Sequence, residues 1–174
     1  MKIKALVVLL LIINSSLVFA APINNLEEGQ AVLGIMMQGG DFKNSFFGET
    51  QVGDSIIVGL QIANYSNSLN VSDFYVQYKL DSALDSMMDN PVRIILGNKT
   101  YDSRGGLYIG AGISTPLSEE LDGYGSATFG SGFQDYQVGV NYNLSDNAIV
   151  NLNYRVFNYE KTINGAGLGI MCKF

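Results

Sequence analysis

The last nine residues alternate in character: Ala166, Leu168, Ile170, Cys172 and Phe174 fall on one side of an extended strand, and Gly167, Gly169, Met171 and Lys173 on the other. Successive side chains of a strand point to opposite faces. The segment therefore needs an apolar medium against one face and a space tolerant of glycine and lysine against the other. A bilayer outside and a barrel lumen inside supply both. The same alternation recurs upstream. Phe74, Val76, Tyr78 and Leu80 alternate with Asp73, Tyr75, Gln77 and Lys79, and Leu107, Ile109, Ala111 and Ile113 with Tyr108, Gly110, Gly112 and Ser114. Val138, Val140, Tyr142 and Leu144 alternate with Gln137, Gly139, Asn141 and Asn143, and Val150, Leu152, Tyr154 and Val156 with Asn151, Asn153, Arg155 and Phe157.

Turn residues cut the chain into segments of about ten residues, the length a tilted strand needs to cross a membrane. Ten such segments fall near residues 30–38, 44–52, 55–65, 72–80, 91–102, 106–116, 123–131, 135–144, 148–160 and 165–174. The spacing predicts an all-β fold, a closed antiparallel up-and-down transmembrane β-barrel of ten strands. Eight strands is the alternative, if the two weakest segments, the first and the seventh, are loops. An even count returns both ends to one side. Arg93 and Lys99 share a row with Ile95 and Gly97, opposite Val92, Ile94 and Leu96. A one-residue slip would turn these cations into lipid at about 2 to 4 kcal/mol each at the midplane, so the register is strongly fixed. A soluble barrel turns the same pattern inside out. Against that reading, Gly167, Gly169 and Lys173 would form a poor exterior, and the long aliphatic rows would overfill a narrow interior.

At the other end, Lys2 and Lys4 precede the apolar run 5–13, a polar break at Asn14, Ser15 and Ser16, and then Val18-Phe19-Ala20, a pattern cut before Ala21. This reads as an export signal over residues 1–20, followed by one barrel domain over residues 21–174. With this signal, this alternation and a terminal Phe, the chain resembles the small porin-like outer-membrane β-barrel proteins of Gram-negative bacteria. The resemblance implies the bacterial outer membrane as location and outer-membrane lipids as surroundings. It also implies that Phe174 and the strand before it act as the signal for the barrel-assembly machinery. Aromatics towards strand ends, Tyr65, Tyr101, Tyr124, Tyr136, Tyr142, Tyr159 and Phe174, suit the interfacial girdles of such barrels.

Charge excludes other classes. Without Lys2 and Lys4, eight basic residues stand against sixteen acidic ones, which would repel phosphate and offers no counterion release, so nucleic acid is not an expected partner. The one cysteine, Cys172, permits no internal disulfide and belongs on the lipid face. No histidine is present. The lipid A deacylases, palmitoyltransferases and omptin-type proteases of outer membranes all need one beside Ser or Asp, so no enzymatic activity is expected. No cofactor or metal is expected either. Asp81, Asp85 and Asp89 read as a solvated turn rather than a calcium loop.

The inward rows carry Glu49, Asp73, Lys79, Arg93, Lys99, Arg155 and Lys173. Opposite charges in a narrow lumen should pair, since an isolated ion there is costly; the expected core is Glu49 with Arg93 and Arg155. The same residues could form a charged constriction. The leading functional expectation is a narrow passive pore for ions or small solutes, with a non-conducting structural or surface-interaction barrel as the alternative. The barrel is expected to be a monomer. Connections are too short for a large inward plug, with residues 21–29 left aside; loop tips at residues 39–43, 67–71 and 131–135 could bind partners through Phe42 and Phe133.

Overall fold

A computed structural model describes residues 22–39, 42–65, 70–80, 92–101 and 104–174. The expected export signal and the turn holding Asp81, Asp85 and Asp89 lie outside the described residues. The described residues form ten strands and no helix: β1 (Ala31–Gln38), β2 (Phe42–Gln51), β3 (Ile56–Tyr65), β4 (Asn70–Lys79), β5 (Val92–Tyr101), β6 (Arg104–Pro116), β7 (Leu121–Gly130), β8 (Phe133–Ser145), β9 (Ala148–Asn158) and β10 (Thr162–Lys173). Each pairs antiparallel with its sequence neighbours, and β1 closes onto β10. The ten-strand reading holds, including the first and seventh segments. Strand starts shift by up to three residues, as at β10, where the ladder to β9 already begins at Thr162 opposite Asn158.

The closure is complete at the last residue. The Phe174 amide donates to the Ala31 carbonyl at 2.8 Å and the Ala31 amide to the Phe174 carbonyl at 3.1 Å. This leaves no sheet edge to template aggregation. One end of the barrel, here the terminus end, carries the start of β1, the end of β10, the end of β4 and the start of β5. The opposite, hairpin end carries the turn at Ser131 and Gly132, where Gly132 has φ 82° and thus the left-handed conformation glycine favours.

Facing follows the alternation. Leu33, Ile35, Met37, Leu60, Ile62, Phe74, Leu96, Leu107, Ile109, Val138, Leu152, Leu168 and Ile170 point outward and are exposed, Leu107 to 77%. Cys172 joins them. A soluble protein rarely exposes apolar patches beyond a few hundred Å², whereas this belt runs around the wall. Inside, Arg93 and Arg155 are among the largest fully buried side chains.

A steric rule packs the interior. Gly34, Gly59, Gly97, Gly130 and Gly139 each lie directly opposite an inward aromatic of the neighbouring strand: Phe47, Tyr75, Tyr108, Phe133 and Tyr124. A Cβ on any of these glycines would stand 2.3 to 2.5 Å from the facing aromatic side chain. The rings therefore lie flat across the glycines and fill the lumen.

Candidate functional site in the barrel lumen

Two polar clusters occupy the lumen, one towards each end. Near the hairpin end, Asp135 of β8 receives a two-pronged contact from Arg155 of β9 and a 2.5 Å bond from Lys99 of β5. Lys99 also reaches Asp73 of β4 at 3.1 Å, and the Tyr108 hydroxyl donates to Asp73 at 2.8 Å. All four ions are buried. Two carboxylates against two cations leave this cluster neutral, the condition under which buried charge is tolerated. Aromatic rings close it from the hairpin side. Lys99 Nζ lies 5.2 Å from the ring centres of both Tyr108 and Phe133, a cation–π arrangement. Tyr101, Phe133 and Phe157 pack with centroids 5.6 to 5.9 Å apart, joined by Val71, Ala63 and Ile163.

Near the terminus end the centre is Glu49 of β2. Its Oε1 accepts from the Tyr75 hydroxyl and from Gln77 Nε2, both at 2.8 Å, and its Oε2 accepts from Asn24 Nδ2 at 2.7 Å. Arg93 of β5 donates to Gln77 Oε1 at 3.0 Å, so Gln77 relays between the two charges. Asn24 belongs to residues 22–26, which enter the barrel with every side chain but that of Asn25 buried in it. Beside it, Tyr124 accepts from Gln137 at 2.9 Å and from Asn151 at 3.0 Å. Between the two clusters remains a cavity of about 50 Å³, lined among others by Ile23, Glu49, Asp73, Lys99, Asp135 and Arg155. It has room for a few water molecules.

The structure thus places Glu49, Asp73, Arg93, Lys99 and Arg155 inside the lumen and splits them between two clusters. Arg155 bonds Asp135 rather than the expected Glu49. Lys79 stands half-buried at the terminus end, 2.5 Å from Gln51 Oε1, and Lys173 is half-buried at the end of β10 opposite Val32. Three sequence expectations are corrected. Tyr101 and Tyr124 are buried in the lumen, and Tyr159 stacks on Phe157 at 5.4 Å; only Tyr136, Tyr142 and Phe174 of the expected girdle are exposed on the outer row, the Tyr65 side chain lying outside the described residues. Phe133 is an interior ring and not a loop anchor. Residues 22–26, left aside in the sequence, fill the terminus end. Asp135 is the ionic residue missed; it shares the inward parity of Gln137 and Asn141, the signal that could have found it.

A closed up-and-down barrel with an apolar wall outside and buried ion pairs inside has the architecture of a transmembrane β-barrel. Solved structures of similar course include the N-terminal barrel domain of OprF from Pseudomonas aeruginosa, with 13% identity over 86% of this chain and all of that one, TM-score 0.44. The KdgM porin is 11% identical over 83% of this chain and 98% of its own, TM-score 0.43. Ail, the attachment invasion locus protein of Yersinia pestis, is 12% identical over 84% and 99%, TM-score 0.39. These likenesses concern the path of the chain alone. No protein family profile matches the chain, and no curated protein does.

Proposed function

We propose that this chain is an integral protein of a bacterial outer membrane whose barrel is closed to solutes, serving as a structural or surface-interaction barrel rather than a pore. One observation carries the reading: the lumen is filled at both ends, by strand-borne aromatic rings at the hairpin end and by residues 22–26 at the terminus end, with about 50 Å³ between. A water-filled path for ions needs a continuous bore, and a narrow barrel leaves an interior that side chains can fill. In this reading outer-membrane lipids are the partners of the outer wall. The barrel-assembly machinery reads β10, whose exposed row ends in Phe174. A single chain completes the sheet, which supports a monomer. No catalytic role is assigned: the sequence holds no histidine, and Glu49, Asp73 and Asp135 are all held in hydrogen bonds or ion pairs.

Planar-bilayer recording of refolded protein, its folding checked by heat-modifiable gel mobility, tests the closed lumen. The expected result is a silent bilayer. Resolved channel steps whose size changes with Arg93→Ala or Arg155→Ala would restore the pore.

A further inference from the structure

Residues 22–26 do more than occupy space, because side chains from five strands grip them. Their backbone carbonyls accept three bonds: Ile23 from Asn141 Nδ2 of β8 at 3.0 Å, Asn24 from Arg93 Nη1 of β5 at 2.9 Å, and Leu26 from Lys79 Nζ of β4 at 2.7 Å. Their side chains make three more. Asn24 Nδ2 donates to Glu49 Oε2 of β2 at 2.7 Å, and Asn25 Oδ1 accepts from Arg93 Nη2 at 2.9 Å and from Ser114 Oγ of β6 at 2.8 Å. The apolar side chains have seats as well. Ile23 lies over Gly112, where a Cβ would stand 2.3 Å from its Cδ1, and Leu26 packs among Val32, Met36, Phe47, Ile57, Ile149 and Met171.

We propose that the terminus-end half of the lumen is a peptide-binding site, filled here by the chain's own amino-terminal segment. The ligand chemistry is an extended peptide with a branched aliphatic residue, two consecutive asparagines and leucine. Carbonyls that any peptide offers meet Lys79, Arg93 and Asn141, which supply grip. The asparagine pair reads Glu49 in one direction and Arg93 with Ser114 in the other, which supplies selection. Bonds to charged partners are the stronger class, and two of the three side-chain bonds and two of the three carbonyl bonds are of this kind. The proposal deepens the closed-lumen reading, since this segment is one of the two seals. It does not depend on conductance, because a peptide can be bound in a barrel that also leaks.

The test uses the full chain in a Cys172→Ser background. A single cysteine replaces either buried Leu26 or exposed Glu28, and a water-soluble maleimide is added to the refolded protein. Labelling at position 26 should run at least ~100-fold slower than at position 28, as local opening is needed to reach it. With Asn24→Ala and Asn25→Ala together, labelling at position 26 should rise about 10- to 100-fold, the factor expected for losing bonds to charged groups. The variant should then bind a fluorescent peptide of the sequence of residues 21–28 saturably, while the unaltered chain, its site filled, should not. Adding Lys79→Ala to the variant should weaken that binding. Equal labelling at positions 26 and 28 in the otherwise unaltered chain overturns the proposal. So does a folded double variant with its segment released that ignores the peptide. Unchanged protection in the double variant removes the asparagine recognition on which the site's selectivity stands.

Discussion

The two ends of the lumen are closed by different means. At the hairpin end the strands close it with their own side chains: Tyr101, Phe133 and Phe157 form the lid, and Lys99, Asp73, Asp135 and Arg155 lie beneath it as paired ions. At the terminus end the strands supply an amide-rich collar around Glu49 and Arg93, and a separate segment fills it. The first seal is part of the wall and cannot leave without unfolding the barrel. The second is held by hydrogen bonds and the apolar seats of Ile23 and Leu26, so it can leave while the barrel stays intact. Stability and accessibility are therefore divided between the ends, with the ionic cluster holding the barrel together and the collar holding a guest.

The sharpest way to break this contrast is Asp135→Ala. Removing the carboxylate leaves Arg155 without its two-pronged partner and Lys99 with Asp73 alone, both buried. The expected destabilisation is about 3–5 kcal/mol, the range for stripping one partner from a buried ion pair. It is read from the urea midpoint of the refolded barrel. Glu49→Gln at the other end should cost less, about 1–3 kcal/mol, because its hydrogen-bond donors Asn24, Tyr75 and Gln77 are neutral and a glutamine carbonyl can accept part of the set. If Glu49→Gln proves the more damaging of the two, the division of labour is reversed.

Much of this was legible in the sequence, for a reason that also marks its limit. Alternation assigns each residue to a face, and the inward position of Arg93, Lys99 and Arg155 follows from the cost of placing them in lipid. Pairing across the lumen does not follow. Asp135 and Lys99 sit on β8 and β5, which are not neighbours in the sheet, and only closure brings them together. Nearness to a strand end suggests a girdle position for Tyr101, whereas its parity with Ile95 and Lys99 points inward, and the buried ring shows that parity decides. Residues 22–26 carry no period at all. A short irregular segment has no pattern from which its site can be read, and its partners are scattered over five strands. The glycine-opposite-aromatic packing was partly visible as small residues making room in the lumen, but which ring lies over which glycine needs the register.

That packing separates the ends again. Gly59→Ala sets a methyl 2.4 Å from the Tyr75 ring, which is tethered by its hydroxyl to Glu49. The ring cannot retreat without losing the bond, and the expected cost is about 1–3 kcal/mol, the usual penalty of overpacking. Gly112→Ala meets instead the tip of Ile23 at 2.3 Å, on the segment that can leave. Replacing a strand glycine by alanine itself gains about 0.5–1 kcal/mol, so the global stability should scarcely move. The change should appear as faster maleimide labelling of a cysteine at position 26. A Gly112→Ala barrel that loses stability as Gly59→Ala does, with position 26 still protected, would mean that the segment belongs to the wall.

The smallest effect is expected at the rim of the hairpin end, where Arg104 of β6 contacts Glu160 just beyond β9. Both side chains are about two-thirds exposed, 65% and 69%, so water screens the pair and ordering two long side chains offsets what attraction remains. Arg104→Ala should shift stability by about 0–1 kcal/mol, and high salt should remove even that. The pair joins the tips of hairpins that are not sheet neighbours, as Lys99 and Asp135 do deeper in the lumen. A loss of several kcal/mol on Arg104→Ala would show that ties across the mouth, and not the buried cluster, hold the hairpin end closed.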